Sequence, residues 1–280
     1  MPLKRQDLKK ATESLQAFRA FSASPYHERY SFPFLRGTYF VYRKIDVLRV
    51  VSIANSIADN PRYLDVGCGY GDFLKKIREF IPCAIGIEKD ASIFYSYGIS
   101  KPEYIRIADA QWGIDQKYDL IFVGWMDPGV DFRDQVSAKT DVIVTTLDKG
   151  ISLGAEFDGH GFKRIATWRT PSWEDVNTEI MNRYYTKMSD ETFQSLFRLR
   201  SANNLWYVYS RQPNKSEAIK SSLSHQLIQE KKLINERYEF EDVLDECGFR
   251  YLENLDGVSS KKQARLWDIN FNPSFGRKQE

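Results

Sequence analysis

Apolar residues in the middle of the chain come in short continuous runs, separated by stretches with a helical or polar pattern. A strand that is apolar on both faces is covered by helices on both sides, which is typical of parallel sheets. The runs predict five strands, at residues 63–66, 84–87, 104–107, 119–123 and 141–146, with helices at 71–80 and 90–97. The pattern therefore predicts an α/β fold with a doubly wound, mostly parallel sheet.

The pattern changes after the fifth predicted strand. Two more strands are predicted at 162–168 and 205–209, and a mostly helical insertion at 173–200 separates them. Beyond residue 211 the sequence predicts a polar helix at 215–237, a shorter helix at 239–247 and a strand at 265–269. We expect these last elements to form a C-terminal α/β appendage.

The first sixty residues predict a cap in front of the sheet. An amphipathic helix is predicted at 4–20, and 21–42 is an aromatic segment interrupted by proline and glycine. A second helix at 42–58 ends before Pro61, because the residue preceding a proline avoids the helical conformation. The chain is thus predicted to have three regions: a helical and aromatic cap at 1–60, a central domain at 61–211 and the appendage at 212–280.

Composition narrows the class of protein. Hydrophobic residues make up 42% of the chain, which is enough for a sizeable core. No apolar run approaches the ~18–20 residues that cross a bilayer, and the charged N-terminus lacks the apolar segment of a signal peptide. The three cysteines are odd in number and lack metal-ligand spacing. We therefore expect a cytoplasmic protein without a disulfide framework or a metal site.

Charge is unevenly distributed along the chain. The net charge is only +2, but residues 1–62 carry eleven Lys and Arg against five Asp and Glu. Such a segment can receive an anionic substrate, or it can be a solvated basic face. The balance falls short of the strongly basic surface of a dedicated nucleic-acid binder. Nucleic acid is therefore a possible but not the favoured partner.

A glycine-rich turn follows the first predicted strand, in Asp65-Val66-Gly67-Cys68-Gly69-Tyr70-Gly71. Glycine is needed where the backbone turns sharply and where a ligand approaches the main chain closely. The spacing is Gly-x-Gly-x-Gly, one residue shorter than the Gly-x-Gly-x-x-Gly of dinucleotide binders. This tighter turn favours a ligand that has no phosphate to bind at the helix N-terminus.

Two carboxylates follow the next two predicted strands. Glu88 comes 23 residues after Asp65, near the ~20-residue offset at which an acidic residue binds ribose hydroxyls. Asp109 follows the third strand and can accept a hydrogen bond from an exocyclic amine such as that of adenine. The order of these residues indicates a nucleoside-containing ligand.

The glycine turn, Glu88 and Ala108-Asp109-Ala110 together resemble motifs I, II and III of the class I (Rossmann-like, seven-stranded) methyltransferases that use S-adenosylmethionine (SAM). The resemblance is strong over 62–124, weaker to about residue 211, and does not cover 1–40 or 212–280. It implies SAM as cofactor and a seven-stranded sheet.

The resemblance also implies a role for each matched residue. Gly67, Gly69 and Gly71 would form the loop under the methionine part of SAM, and Asp65 would orient its amino group. Glu88 would hold the ribose, and Asp109 would contact the adenine amino group. The residues Ile87, Ala110 and Trp112 would flank the adenine ring.

The acceptor side of the site is expected after the fourth strand, in Gly124-Trp125-Met126-Asp127-Pro128-Gly129. Ligands of doubly wound folds bind outside the carboxyl ends of the strands, so Trp125 and Asp127 would face the reaction centre. The position is that of motif IV, but the second proline and the aromatic residue of Asn/Asp-Pro-Pro-Tyr/Phe are missing. This departure makes nucleobase N-methylation less favoured. Asp127 is a candidate catalytic residue, and its alternative role is to cap a turn.

Three further residues are candidates for the site. His160, between two glycines in a loop, is either a general base or a solvent-exposed side chain. Tyr39 precedes the helix predicted at 42–58, and Arg43 lies in its first turn. If that helix runs antiparallel to the first strand, it brings both residues to the glycine turn, where Arg43 can pair with a carboxylate; otherwise the aromatic segment only packs on the sheet.

The sequence predicts an enzyme that transfers a methyl group from SAM to a small-molecule acceptor. Two alternatives remain. One is a methyltransferase acting on RNA or protein, with the appendage used for docking. The other is a SAM-binding regulator that has lost catalysis, which a broken glycine turn or a missing ribose carboxylate would indicate.

Overall fold

The structure, a computed structural model, describes residues 44–96, 100–124, 130–147, 156–169, 205–230, 268–271 and 273. The predicted elements at 4–20, 173–200 and 239–247 lie outside these residues. The helices are α1 (Lys44–Ile57), α2 (Asp72–Arg78), α3 (Ser92–Ser96), α4 (Arg133–Ser137) and α5 (Pro213–Glu230). The strands are β1 (Tyr63–Val66), β2 (Ile85–Glu88), β3 (Ile105–Ile107), β4 (Leu120–Val123), β5 (Val142–Leu147), β6 (Lys163–Arg169), β7 (Leu205–Ser210) and β8 (Ile269–Asn270).

All eight described strands form one sheet in the order β3-β2-β1-β4-β5-β7-β6-β8. Strands β1 to β5 pair in parallel, whereas β7 lies antiparallel between β5 and β6. The parallel strands alternate along the chain with helices, as the apolar runs predicted. The predicted fold class, an α/β fold with a doubly wound and mostly parallel sheet, is confirmed.

The eighth strand is a difference from the seven-stranded expectation. Ile269 and Asn270 pair antiparallel with Trp168 and Thr167 of β6. The sequence predicted a strand here, at 265–269, but assigned it to the appendage. An edge strand such as β6 leaves backbone N–H and C=O groups unpaired, and a short segment from the end of the chain covers them.

Alternation along β1 separates two cores. Leu64 and Val66 belong to the core on one face of the sheet. Tyr63 belongs to the core on the other face, under α1, α2 and α5, and Asp65 points to this same side because successive side chains alternate. In register, Asp65 aligns with Phe122 of β4, which aligns with Val144 of β5.

Helices α1 and α5 pack together on the face that carries Asp65. The side chain of Arg49 in α1 forms a bidentate ion pair with Glu230 of α5, and both side chains are buried. Ile219 and Leu223 of α5 are buried in the same core. The first helix after residue 211 therefore packs directly on the cap helix; the domain bounds at 60 and 211 stay a prediction.

The direction of α1 is fixed at its first turn. Asp46 accepts a hydrogen bond from the indole Nε1 of Trp168, at 3.0 Å. Trp168 lies in the last part of β6, which runs parallel to β5 because both are antiparallel to β7. Helix α1 thus begins near the carboxyl ends of the parallel strands, as the sequence predicted.

Candidate functional site

The glycine-rich turn lies at the carboxyl ends of β1 and β2. Gly67, Gly69 and Gly71 all have positive φ, at 71°, 54° and 77°. Residues with a Cβ rarely adopt this conformation. The backbone N–H groups of Gly67 and Cys68 both donate to the carbonyl oxygen of Ile87, at 3.0 and 3.1 Å. The turn is therefore fixed to the end of β2, where the ribose carboxylate was predicted.

Two glycines around this turn are also required by packing. A Cβ on Gly71, the residue before α2, would lie 2.5 Å from Cδ1 of Ile105, so a side chain there would displace Ile105. A Cβ on Gly86 in β2 would lie 2.6 Å from Sγ of Cys68. Gly86 was not singled out from the sequence, because a lone glycine in a strand does not show which side chain packs over it. Cys68 fills that space, and burial raises the pKa of its thiol.

Glu88 ends β2 with its carboxylate held on the glycine turn. Oε2 accepts a hydrogen bond from the N–H of Gly69 at 2.9 Å, and Oε1 accepts one from the N–H of Asp90 at 3.0 Å. Each oxygen keeps a further lone pair for a ligand hydroxyl. The structure thus brings together the second glycine and the carboxylate that the sequence assigned to the ribose.

Asp65 lies directly before the turn and is 2% exposed. Its pKa is raised well above the usual value, first because burial disfavours the charged form and then because the carboxylates of Asp72 and Glu88 are near. In the described part of the chain its carboxylate accepts no hydrogen bond and contacts no cation. Such a group is stabilised when a ligand supplies a positive charge.

Asp109 is held in a turn after β3. Oδ1 accepts the N–H of Gln111 at 2.9 Å, and Oδ2 forms an ion pair with Nζ of Lys89 at 3.1 Å. These two contacts, the backbone hydrogen bond first, lower the pKa of Asp109. Ala110 is buried, whereas Trp112 is 84% exposed. The structure leaves Trp112 uncovered at the edge of the site.

His160 is placed away from these residues. Its Nδ1 lies 3.0 Å from Oδ1 of Asp134 in α4, and its ring packs edge-on to Phe157. The loop that carries it leads into the start of β6, whose Lys163 is in the same row as Val142. That row lies three residues, roughly 10 Å, below the carboxyl ends of the strands. The structure therefore does not bring His160 together with the glycine turn.

Four other predicted site residues, Tyr39, Arg43, Trp125 and Asp127, lie outside the described residues. Their positions along the chain are still informative. Gly124, the last described residue after β4, follows the strand that pairs with β1. Arg43 directly precedes α1, which begins near the carboxyl ends of the strands.

Two threonines at the carboxyl end of β5 were not predicted as site residues. Thr145 and Thr146 are buried, and neither hydroxyl has a hydrogen-bond partner in the described part of the chain. Val144 packs in the core on the Asp65 side, so alternation places Thr146 on that side and Thr145 on the opposite one. In the sequence they are a polar pair at the end of an apolar run. A strand that ends in solvent has the same pattern, so the pattern alone did not identify them.

Two searches of the described residues concern metals and membranes. No group of three or more His, Cys, Asp or Glu side chains among them is arranged to hold a metal ion. None of the helices within the described ranges is both long enough and apolar enough to cross a bilayer.

No protein-family model and no curated protein sequence matches the chain. Among solved structures, a SAM-dependent methyltransferase from Archaeoglobus fulgidus is 14% identical with a TM-score of 0.41, over 60% of this chain and 94% of that chain. One from Clostridium acetobutylicum ATCC 824 is 10% identical with a TM-score of 0.39, over 64% and 95%. DesVI of Streptomyces venezuelae is 13% identical with a TM-score of 0.30. That match covers 37% of this chain and only 50% of the DesVI chain. At such values, function has to be argued from the residues of the site.

Proposed function

We propose that this chain is a SAM-dependent methyltransferase that acts on a small-molecule acceptor. One observation carries the cofactor assignment: the carboxylate of Glu88 sits on the amide of Gly69, beside the buried carboxylate of Asp65. Two carboxylates that differ in exposure and in hydrogen bonding thus lie at one glycine turn. One is partly exposed and bonded to backbone N–H groups, and the other is buried without a cation in the described residues.

SAM has complementary groups for both carboxylates. Its ammonium group is a cation that Asp65 can pair with, and its ribose carries two hydroxyls that the free lone pairs of Glu88 can bind. The positive φ angles leave the main chain of Gly67 and Gly69 free of side chains where the methionine part would lie. Asp109 and Ala110 would hold the adenine, with Ile87 beneath the ring.

Bound SAM supplies a methyl group on a sulfonium, which is already activated for in-line displacement. The residues of the chain then have to orient the cofactor, exclude water and hold the acceptor. We assign orientation to Asp65, Glu88 and Asp109. Asp127, which follows the strand beside β1, is the proposed acceptor contact, and Trp125 of the same segment is proposed to contact the cofactor. Tyr39 and Arg43 are proposed to close the site over the cofactor.

A small-molecule acceptor is favoured by charge and by chain organisation. The net charge of +2 provides little attraction for a polyanion, and the segments before α1 and between β6 and β7 are long enough to enclose a small acceptor. We further propose a cytoplasmic location, because Cys68 and Cys83 are free thiols. A regulator without catalysis is less favoured, since the glycine turn and Glu88 are both in place.

Calorimetry with SAM, its demethylated product S-adenosylhomocysteine and NAD tests the cofactor. Binding of the first two but not of NAD is expected, and binding of NAD alone would overturn the proposal. Methyl-tritiated SAM then tests the acceptor against three fractions of one cell extract: low-molecular-weight filtrate, RNA and protein. Enzyme-dependent label in the filtrate is expected. Label only in RNA or protein would replace the small-molecule assignment.

A further inference from the structure

Asp65 is an unusual carboxylate because everything that the structure places around it disfavours its negative charge. The side chain is 2% exposed, so water stabilises the charge little. Asp72, in the first turn of α2, and Glu88, at the end of β2, both interact with it as like charges. A carboxyl group in such surroundings keeps its proton to a higher pH than one in water.

The remaining titratable groups near Asp65 do not supply a compensating charge. Tyr63 lies on the same face of β1, and Cys68 lies in the glycine turn; burial raises the pKa of both, so both are neutral. No arginine or lysine in the described ranges contacts Asp65. Asp46 and Arg49 of α1 bind other groups: Asp46 accepts a hydrogen bond from Trp168, and Arg49 pairs with Glu230.

We propose that Asp65 carries a proton while the site is empty and releases it to solvent when a ligand ammonium group binds beside it. The inference rests on the proposed function, because the ammonium group is that of SAM or its product. The change is balanced: a carboxylic acid and a free ammonium ion become a carboxylate–ammonium pair, and one proton enters the solvent. Cofactor binding is therefore coupled to pH through this one residue.

The coupling has a defined sign. Below the pKa of Asp65 in the empty protein, binding must remove a proton, so affinity for the ligand rises about tenfold for each pH unit. Above that pKa the affinity is constant. The empty protein shows the opposite trend: the stability that Asp65 contributes is fully present below its unfolded pKa and is lost as the pH rises through the raised, folded value.

Calorimetry with S-adenosylhomocysteine tests the ligand side, from about pH 5 to about pH 7.5, below the titration of an α-amino group. In buffers of different ionisation enthalpy, the wild-type protein should release up to one proton per ligand at the acidic end. Asp65→Asn imitates the protonated residue, so its Kd should be weaker and independent of pH, and the wild-type Kd should approach it in acid. A wild-type Kd that is flat with pH, without proton release, overturns the proposal.

A second measurement needs no ligand. Thermal unfolding of the empty protein should show Asp65→Asn gaining in Tm over wild type as the pH rises. Asp59→Asn, the same change at an exposed carboxylate at the other end of α1, should show no such trend. A constant difference between Asp65→Asn and wild type overturns the protonation of Asp65. Absence of ligand binding at every pH, with the Tm trend intact, instead overturns the proposed function and leaves the protonation standing.

If Asp65→Asn does not fold, carbon NMR of the wild-type carboxyl groups decides the question. A carboxyl resonance that titrates well above the range of ordinary aspartates, and that loses its proton on addition of S-adenosylhomocysteine, is the expected result. All aspartates titrating in their ordinary range would overturn the proposal.

Discussion

The two edges of the sheet differ in how they pair their carboxylates. At the amino-terminal edge, Asp119, Asp141 and Asp158 each pair with an arginine: Arg62, Arg211 and Arg164. At the carboxyl-terminal edge, neither Asp65 nor Glu88 contacts an arginine or a lysine in the described residues. Both edges place acidic side chains at strand ends. Asp109, at the carboxyl-terminal edge, also has a countercharge in Lys89, at 3.1 Å, whereas Asp65 and Glu88 have none within the described ranges.

Asp158 and Asp65 show this difference most clearly. Asp158 accepts hydrogen bonds from Arg164 at 2.5 Å and from the hydroxyl of Tyr209 at 3.0 Å, and Arg164 also stacks on Tyr207. Both hydrogen bonds are accepted by Oδ2, so the charge of Asp158 is paired within the fold, although its Oδ1 is buried without a hydrogen-bond partner in the described residues. Asp65 has no such contacts, and its charge is stable only when something binds. A strand-end acid without a countercharge thus marks the site better than an acid as such.

The largest expected effect is a loss of stability at the amino-terminal edge. Asp158→Ala should lower the free energy of unfolding by about 3 kcal/mol, because it leaves Arg164 and the Tyr209 hydroxyl without their partner in a largely buried place. The affinity for SAM should remain unchanged, since the residues proposed to bind the cofactor lie at the other edge. Denaturant unfolding and calorimetry measure the two quantities. A clear loss of affinity in a folded variant would contradict the division between the edges.

At the carboxyl-terminal edge we expect a loss of SAM affinity with little loss of stability. Glu88→Ala should weaken SAM binding by about 1.5–3 kcal/mol, the usual range for hydrogen bonds to a charged group. Its Tm should change little, because the partners it loses are the N–H groups of Gly69 and Asp90 at the rim of the site. Glu103→Ala, an exposed acid before β3, is the matched control. Unchanged affinity for Glu88→Ala would remove this residue from the site.

A smaller effect should distinguish the two threonines of β5. Both hydroxyls lack a partner in the described residues, so replacing either by valine should leave the free energy of unfolding within about 1 kcal/mol or raise it. If Thr146 contributes to the acceptor side, Thr146→Val should also reduce label transfer from SAM, whereas Thr145→Val on the opposite face should not. Equal transfer by both variants would make Thr146 a core residue only.

The smallest effect is expected at the exposed rim of the amino-terminal edge. The guanidinium of Arg62 is 55% exposed and lies 3.4 Å from Asp119. Arg62→Ala should cost no more than about 1 kcal/mol of stability, because solvent screens an exposed pair. The backbone N–H of Arg62 still donates to Asp119 after the change. A loss of stability as large as that of Asp158→Ala would show that the exposure of an ion pair does not predict how much it contributes to stability.

Local pattern was sufficient to predict which residues meet at the glycine turn. Asp65, the three glycines and Glu88 could be predicted because each follows a short apolar run, and parallel strands bring their carboxyl ends to one edge. His160 shows the limit of that argument. Its glycine-flanked loop satisfied a sequence criterion for a base, but the loop leads back to the start of β6, and which edge a loop reaches depends on strand order and direction.

The sequence by itself determined most of the strands, the parallel direction of the first five and the residues of the glycine turn, because periodicity and glycine spacing are local properties of the chain. Only the tertiary structure decided that β7 enters between β5 and β6, that α5 pairs with α1 through Glu230 and Arg49, and that Asp65 lacks a countercharge in the described residues. These features depend on residues far apart in sequence. Whether a carboxylate is paired is decided by what the fold brings within a few ångströms of it.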